Sequence, residues 1–340
     1  MADWGVVFEW DGGPCGCRCR HCCLNSGAPA SVPYERAKAV AERFLEWTRE
    51  AGAEHLKMEF GAGFSYECAL PQLVDYVSFR REHQMAGSDY LPLNGLRVRD
   101  QNELRQMLHA LREAGIQTVN LSFYGFGENH DRFARREGDF AYLLLLAEVA
   151  EKCALNRSET IFLRKGALAD LPQLLDTMDV IPGLVRREVC PWDYRGRAVN
   201  LEHDRPELSD IEALPDYIRE AVNLKRYRTE GYWIDAILAG VIPPHSERIY
   251  FIAVRDDNIE YLEREPWERM LREMRAKDEA RRQGEPRLAD LARRYGDPGN
   301  IRLYALRDLE WKWLGEWYAQ RDPAAAEEVF DPARSHVVLR

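Results

Sequence analysis

Strand and helix patterns alternate over about the first 220 residues, and this alternation restricts the possible folds more than any other feature of the chain. Between the strand-like segments, apolar residues recur with the i, i+3, i+4, i+7 spacing of amphipathic helices, as at Leu104, Met107, Leu108 and Leu111. Strands joined by helices form parallel sheets with right-handed crossovers. The sequence therefore predicts an α/β fold with six parallel strands. The candidate strands are residues 5–10, 55–60, 89–94, 117–123, 158–163 and 184–190.

Five of the eight cysteines lie in residues 15–23, directly after the first candidate strand. We call this segment the cysteine loop. Within it, only Cys15, Cys19 and Cys22 show the spacing Cys-x3-Cys-x2-Cys. Three thiolates can hold three irons of a cubane iron–sulfur cluster and leave the fourth iron open to another ligand. In a parallel α/β barrel, the loop after a strand lies at the face that carries the chemistry.

A zinc site and a set of disulfides both fit these cysteines less well. A structural zinc site needs four ligands, usually from two cysteine pairs, but Cys68, Cys153 and Cys190 are single and scattered. Disulfides belong to secreted chains, and residues 1–9 lack the basic and apolar regions of a signal peptide. Arg18 and Arg20 are expected to favour the thiolate forms. An iron–sulfur site is the favoured interpretation.

Charge and hydropathy exclude some partners. The 57 acidic against 47 basic residues give a net charge of −10, which argues against nucleic-acid binding. The longest apolar run, residues 140–147, is too short to cross a membrane. Free thiols beside an oxygen-sensitive cluster predict a cytoplasmic location.

The cysteine spacing, with His21 just before the last cysteine, resembles the signature of the radical S-adenosylmethionine (SAM) superfamily. The resemblance implies a partial (β/α)6 TIM-like barrel and one [4Fe–4S] cluster bound by Cys15, Cys19 and Cys22. It also implies that the open iron chelates the amino and carboxylate groups of SAM. Reduction by a donor such as flavodoxin or ferredoxin would then split SAM into methionine and a 5′-deoxyadenosyl radical.

Segments after the second and third strands resemble SAM-binding motifs of the family in part. Gly61 and Gly63 stand where members usually carry Gly-Gly-Glu-Pro, although the Glu-Pro pair is missing here. Leu93-Asn94-Gly95 resembles a Thr-Asn-Gly segment, and a tight turn explains the Asn-Gly pair equally well. By this resemblance, Gly61, Gly63 and Asn94 are cofactor-binding candidates.

The fourth and fifth strands add further candidates through the same resemblance. Ser122 stands where members bind the SAM ribose, and Tyr124 replaces a common aspartate, which makes it a substrate-binding candidate. His21 is expected to back the adenine. Arg164 ends strand five and either pairs with the SAM carboxylate or forms a surface ion pair. His130 is expected to be structural, and with its neighbour Asp131 to set the start of a helix.

The loop after strand six is rich in polar groups that face the same end of the barrel. Asp193, Arg195 and Arg197 are substrate-binding candidates, because guanidinium groups suit a carboxylate or phosphate. Cys190 is a candidate hydrogen-atom donor for an epimerisation. A buried free cysteine is more often a small apolar residue, and that alternative stays open.

The pattern changes near residue 226. We predict a barrel domain over residues 1–225 and a C-terminal α+β extension over residues 226–340, containing a β-hairpin at residues 250–262 and helices. Aromatic residues at helical spacing are expected to pack in a core and cap the barrel; they are Trp311, Trp313, Trp317 and Tyr318. No cysteine follows Cys190, so the resemblance implies no auxiliary cluster.

Together these features predict a radical SAM enzyme that abstracts hydrogen from a small polar metabolite, by epimerisation, rearrangement or elimination, in natural-product biosynthesis. Two alternatives remain open. The first is modification of a ribosomal peptide. The second is a cluster- or zinc-binding protein without catalytic turnover.

Overall fold

A computed structural model describes residues 4–10, 12–22, 32–62, 66–242, 248–321 and 337–339. Its strands are β1 (Trp4–Trp10), β2 (Lys57–Ala62), β3 (Tyr90–Pro92), β4 (Thr118–Phe123), β5 (Asn156–Phe162), β6 (Leu184–Cys190), β7 (Tyr227–Thr229), β8 (Arg248–Val254), β9 (Leu303–Ala305) and β10 (Val337–Leu339). Its α-helices are α1 (Tyr34–Glu50), α2 (Leu70–Glu82), α3 (Gln101–Ala114), α4 (Glu128–Ala134), α5 (Asp139–Lys152), α6 (Leu171–Asp179), α7 (Leu208–Glu212), α8 (Asp216–Ala221), α9 (Glu230–Leu238), α10 (Ile259–Arg264), α11 (Trp267–Gly284), α12 (Leu288–Tyr295) and α13 (Leu306–Ala319). Short 3₁₀ helices occupy Lys165–Asp170 and Gly196–Asp204.

The predicted parallel α/β architecture is confirmed. Strands β3, β4, β5 and β6 pair in that order as one parallel sheet. A second sheet has the order β10-β8-β1-β2, in which β1 lies parallel to both β8 and β2. The six predicted strands thus divide between two sheets, and the described part of the chain contains no closed barrel.

Local sequence explains why no ladder joins β2 to β3 among the described residues. Leu93 N donates to Asn120 O in β4, so the alternate residues Tyr90 and Pro92 face the β2 side. Tyr90 N is already bonded to Gly87 O, and proline has no N–H. This edge of β3 therefore has no free backbone donor for β2.

The predicted hairpin at residues 250–262 is wrong. The first half is β8, which pairs in parallel with β1, and the second half is helix α10. Asn258 ends the strand locally, because its side chain accepts from Arg255 N and donates to Ala253 O. A segment assigned to the C-terminal extension thus extends the sheet that contains the first strand.

Two short helices, α7 and α8, follow the second 3₁₀ helix. Pro215 separates them, since it cannot donate the backbone hydrogen bond of a continuing helix. The extension contains helices as predicted, among them α11 and α12.

The main core lies between the sheets and their helices. In it, the Phe8 ring lies 5.4 Å from Phe44 of α1 and 5.5 Å from Trp267 of α11. A second core joins Tyr194 to α9, α12 and α13, and it buries Trp313 as expected. No described helix is long and apolar enough to cross a bilayer.

Candidate functional site

The cysteine loop lies at the carboxyl ends of the parallel strands, where the turn after β3 and the end of α4 hold its backbone. Gly16 N donates to Gly95 O after β3 at 2.6 Å. Arg18 N and Arg20 N each donate at 3.0 Å to the end of α4, at Ala134 O and Phe133 O. These bonds use main-chain groups, so they fix the path of the loop without engaging the thiols.

Gly16 lies where the cysteine loop comes close to the turn after β3, and the sequence alone did not predict this close approach. A β-carbon at Gly16 would lie 3.1 Å from Gly95 O and 3.3 Å from Leu96 O. Only glycine lets the loop approach the turn after β3 this closely. Its position between Cys15 and Cys17 was the available signal.

The Cys17 side chain is buried and belongs to a buried polar network. Its thiol donates to Asp139 Oδ2 at 3.5 Å, and the same oxygen lies 3.0 Å from His130 Nε2. His130 Nδ1 accepts from Tyr124 N, so the ring proton is on Nε2 and points to Asp139. Burial alone would raise the pKa of Asp139, but hydrogen bonds from His130 and Arg136 hold it below its usual range.

This network confirms a structural role for His130, which is fully buried. Asp131 accepts from Gly138 N at 2.7 Å and from Phe140 N at 2.8 Å, at the start of α5. Asp139 follows Gly138 in the sequence, but only the structure shows that its carboxylate binds His130 and Cys17.

The remaining thiols of the described loop are partly exposed. The neighbouring Cys17 thiol is the largest cause that lowers the pKa of Cys15 to about 7, and it also lowers the pKa of Cys19. The single proton of Cys17 is therefore shared among these two sulfurs and Asp139. The cation that acts on Cys15 is Arg136; the predicted Arg18 and Arg20 are exposed. Cys22 lies within the described loop, and Cys23 lies outside the described residues.

Tyr124 and His21 form the inner wall of the cysteine loop. The Tyr124 hydroxyl lies 3.6 Å from Cys19 Sγ, so this substrate-binding candidate is buried against a thiol. The His21 ring lies 4.9 Å from Tyr124, 5.4 Å from Phe133 and 5.0 Å from Phe162. Burial in this aromatic pocket, with the charge of Arg197, lowers the pKa of His21 to about 3 and keeps the ring neutral.

The residues proposed for SAM binding are spread over both sheets. The Asn94 amide accepts from Ser122 N at 2.7 Å and donates to Ser122 O at 3.0 Å, which ties the loop after β3 to β4. Both polar atoms of Asn94 therefore have partners already. Gly61 lies near the end of β2, paired with Glu9 of β1. Gly63 lies outside the described residues.

Arg164 is buried, and protein groups surround it. Its Nη2 donates to Asn129 Oδ1 at 2.6 Å, and its Nε lies 3.7 Å from Asp204 Oδ2. Its guanidinium carbon lies 4.6 Å from the Phe133 ring centre. Burial lowers the pKa of Arg164.

Residues 191–197 follow β6, and we call them the arginine loop. Arg195 lies over Trp311 of α13, with 3.6 Å between the guanidinium carbon and the ring centre. Asp193 is exposed and lies 3.7 Å from Arg226. Arg197 N donates to Cys22 O at 3.3 Å, so the arginine loop and the cysteine loop meet.

The C-terminal segment fixes the arginine loop. Asp308 accepts from Tyr194 N at 2.8 Å and pairs with Arg205 at 2.7 Å. Arg205 also donates to Trp192 O at 3.0 Å. This buried ion pair therefore connects α13 to the backbone on both sides of Asp193.

Cys190 is buried at the end of β6, where the Tyr227 hydroxyl contacts its thiol. Burial raises the pKa of the thiol to about 12. The group therefore stays protonated near neutral pH, in the form that a hydrogen-atom donor needs. The same burial also suits a small apolar residue.

The donor chemistry of the cysteine loop fits an iron–sulfur cluster. Cys15, Cys19 and Cys22 supply three thiols at the strand ends, while Cys17 is bonded to Asp139. Within the described ranges, no three histidine, cysteine or acidic side chains form an assembled metal site. The three thiols must therefore turn toward one point when they bind a cluster.

Comparison with known proteins gives no match to a family model and no match to a curated protein. Solved structures show a limited likeness. SuiB from Streptococcus suis bound to S-adenosylmethionine is 12% identical over 73% of this chain and 50% of that chain, with a TM-score of 0.45. anSMEcpe with bound AdoMet is 14% identical over 70% and 67% of the two chains, with a TM-score of 0.45.

Coproporphyrinogen III oxidase (HemN) from Escherichia coli, described as a radical SAM enzyme, is 13% identical over 74% of this chain and 64% of that chain, with a TM-score of 0.43. The matched region spans about half the length of the SuiB chains.

Proposed function

We propose that this chain is a radical SAM enzyme that abstracts a hydrogen atom from a small polar metabolite. The observation that carries the proposal is the Cys15, Cys19, Cys22 triplet on a loop at the carboxyl ends of parallel strands. Cys17 has a protein partner in Asp139, although its thiol also contacts Cys15 and Cys19, so the choice of three thiols rests on their spacing.

The residues around the loop have separate roles in this proposal. Cys15, Cys19 and Cys22 hold a [4Fe–4S] cluster, which supplies the electron for reductive cleavage of SAM. The neutral ring of His21 forms an apolar wall for the adenine, supported by Phe133 and Phe162. SAM contacts at Gly61, Gly63, Asn94, Ser122 and Arg164 complete the assignment. Arg164 would have to share its guanidinium between SAM and its protein partners Asn129 and Asp204.

The arginine loop recognises the substrate. Asp193 and Arg195 lie where the last barrel loop meets α13, and they can bind polar groups of opposite charge. Tyr124 is buried behind Cys19, so it can contact only a substrate that lies close to that thiol. If the reaction is an epimerisation, the protonated thiol of Cys190 supplies the returning hydrogen atom.

Anaerobic reconstitution tests the proposal. The chain, supplied with iron, sulfide, dithionite and SAM, should release 5′-deoxyadenosine, and the Cys19→Ala variant should release none. Bound zinc without sulfide, or a loaded cluster without SAM cleavage, would reject the enzyme in favour of a binding protein. A short precursor-peptide gene beside this one would favour peptide modification; sugar or amino-acid tailoring genes would favour a small metabolite.

A further inference from the structure

One edge of the Arg197 guanidinium is buried without a hydrogen-bond acceptor in the described part of the chain. The two atoms concerned are Nε and Nη2. These atoms form the side-on fork with which arginine binds a carboxylate. Arg36 uses the same two atoms on Glu263, at 2.8 and 2.7 Å. The edge of Arg197 thus has the geometry to bind an oxyanion.

Neighbouring arginines have acidic partners, although the Nε atoms of Arg164 and Arg205 are also buried without a hydrogen-bond acceptor among the described residues. Arg164 lies against Asp204, and Arg205 pairs with Asp308. Arg197 takes part in no ion pair among the residues that the structure describes. The Arg197 residue is partly buried, and these two nitrogens are inaccessible to solvent. Buried donors without an acceptor are unfavourable, whereas donors that bind an anion are satisfied.

The position of Arg197 brings this edge close to the cysteine loop. Its backbone N–H donates to Cys22 O at 3.3 Å. After burial, the positive charge of Arg197 is a further cause of the lowered pKa of His21, the residue before Cys22. An anion held by Arg197 would therefore lie next to the site proposed for SAM.

A second donor lies in the same neighbourhood. The Trp192 indole N–H is buried and has no acceptor among the described residues. The Trp192 and His21 rings lie 5.9 Å and 5.4 Å from the Phe133 ring. His21 Nδ1 is also buried without a hydrogen-bond partner in the described part of the chain, so the unpaired atoms around the Phe133 ring include an imidazole nitrogen whose donor or acceptor role depends on the tautomer.

We propose that Arg197 binds a carboxylate or phosphate group of the substrate side-on. The inference rests on the proposed function and narrows its substrate class to anionic metabolites. SAM also carries a carboxylate, so the experiment must separate the two sources of this anion.

The test is calorimetric titration of inorganic phosphate into the anaerobically reconstituted full chain, with and without saturating SAM. The wild type should bind phosphate in both conditions. Arg197→Gln should bind it roughly tenfold or more weakly, because it loses the charge and the fork. Arg197→Lys keeps the charge but not the fork, and should give an intermediate affinity. The exposed Arg219→Gln provides a matched control and should bind like the wild type.

Three results would overturn the inference. The wild type binds no phosphate; Arg197→Gln and Arg197→Lys both bind it as well as the wild type; or SAM abolishes phosphate binding and Arg197→Gln weakens SAM binding. In the third case Arg197 serves the SAM carboxylate. Phosphate bound to iron would be unaffected by either variant and would count as the second result. Because phosphate binding needs no SAM cleavage, failure to release 5′-deoxyadenosine would reject the proposed function separately.

Discussion

The hydrogen bond from Arg197 N to Cys22 O joins the arginine loop to the cysteine loop, yet different parts of the chain hold the two loops. Main-chain bonds to Gly95, Phe133 and Ala134 fix the path of the cysteine loop, with a close approach at Gly16. By contrast, side chains fix the arginine loop, above all the Arg205–Asp308 ion pair.

This difference has a functional consequence. Loop positions held by the backbone tolerate most side-chain changes, whereas a loop held by one buried ion pair depends on two residues. Cluster binding and substrate recognition should therefore be separable by mutation. Four sets of variants and measurements can challenge that separation, from the largest expected effect to the smallest.

Loss of a ligand cysteine should have the largest effect. Each of Cys15→Ala, Cys19→Ala and Cys22→Ala should lose most of the roughly four irons expected per chain. Cys17→Ser should keep them, because serine can still donate to Asp139. Iron and sulfide analysis after anaerobic reconstitution measures the result. Equal loss in Cys17→Ser would show that the ligand set is misassigned.

Asp308→Ala should destabilise the arginine-loop region without altering the iron bound per folded chain. The variant leaves Arg205 buried without its partner, which costs about 3–5 kcal/mol in the free energy of unfolding. Asp216→Ala is the matched control: its pair with Arg219 has the same 2.7 Å length as the Arg205–Asp308 pair but is exposed.

The control should cost under about 1 kcal/mol in urea denaturation. If Asp308→Ala lost iron as strongly as a ligand variant, the two loops would not be independent.

The thiols of the two regions should titrate differently in the metal-free chain. The pKa of Cys15 is lowered to about 7, and that of Cys190 is raised to about 12. The rate of the iodoacetamide reaction of Cys15 should therefore reach half of its maximum near pH 7 and level off about one pH unit higher. At pH 8 it should exceed that of Cys190 by about a hundredfold or more, because only the thiolate reacts.

Peptide mass spectrometry over a time course measures both rates. In urea both thiols should react at similar rates, which serves as the control. Similar rates in the folded chain would contradict the buried, protonated state of Cys190.

Gly16→Ala should have the smallest effect, and only on the cysteine loop. The new methyl group would displace the Arg136 side chain, 2.7 Å from the added β-carbon, and would crowd Gly95 O and Leu96 O. We expect a cost of about 1–3 kcal/mol and weaker iron retention. Gly284→Ala is the control, since a β-carbon there meets nothing within 4 Å. Unchanged stability and iron content in Gly16→Ala would show that the loop moves freely at this point.

Sequence patterns were sufficient where the information is local. Apolar periodicity predicted the six parallel strands and most helices, because each segment carries its own spacing. The position of the cysteine loop followed from the same pattern, since loops after parallel strands share one edge. The hairpin prediction failed because the choice between pairing locally and pairing with β1 depends on a free sheet edge elsewhere.

In the candidate site, too, local spacing was visible in the sequence, whereas contacts between distant segments were not. The spacing of Cys15, Cys19 and Cys22 is visible in the sequence alone, and it marks the three proposed ligands. The fate of Cys17 is not visible, because its partner Asp139 lies 122 residues away in the chain. Likewise, the sequence does not distinguish Arg164, Arg195 and Arg197. Only the fold shows that Arg164 lies against Asp204 and Arg195 over Trp311. It also shows that two buried nitrogens of Arg197 have no acceptor among the described residues. Residue spacing is encoded along the chain, whereas burial and pairing depend on which distant segments pack together.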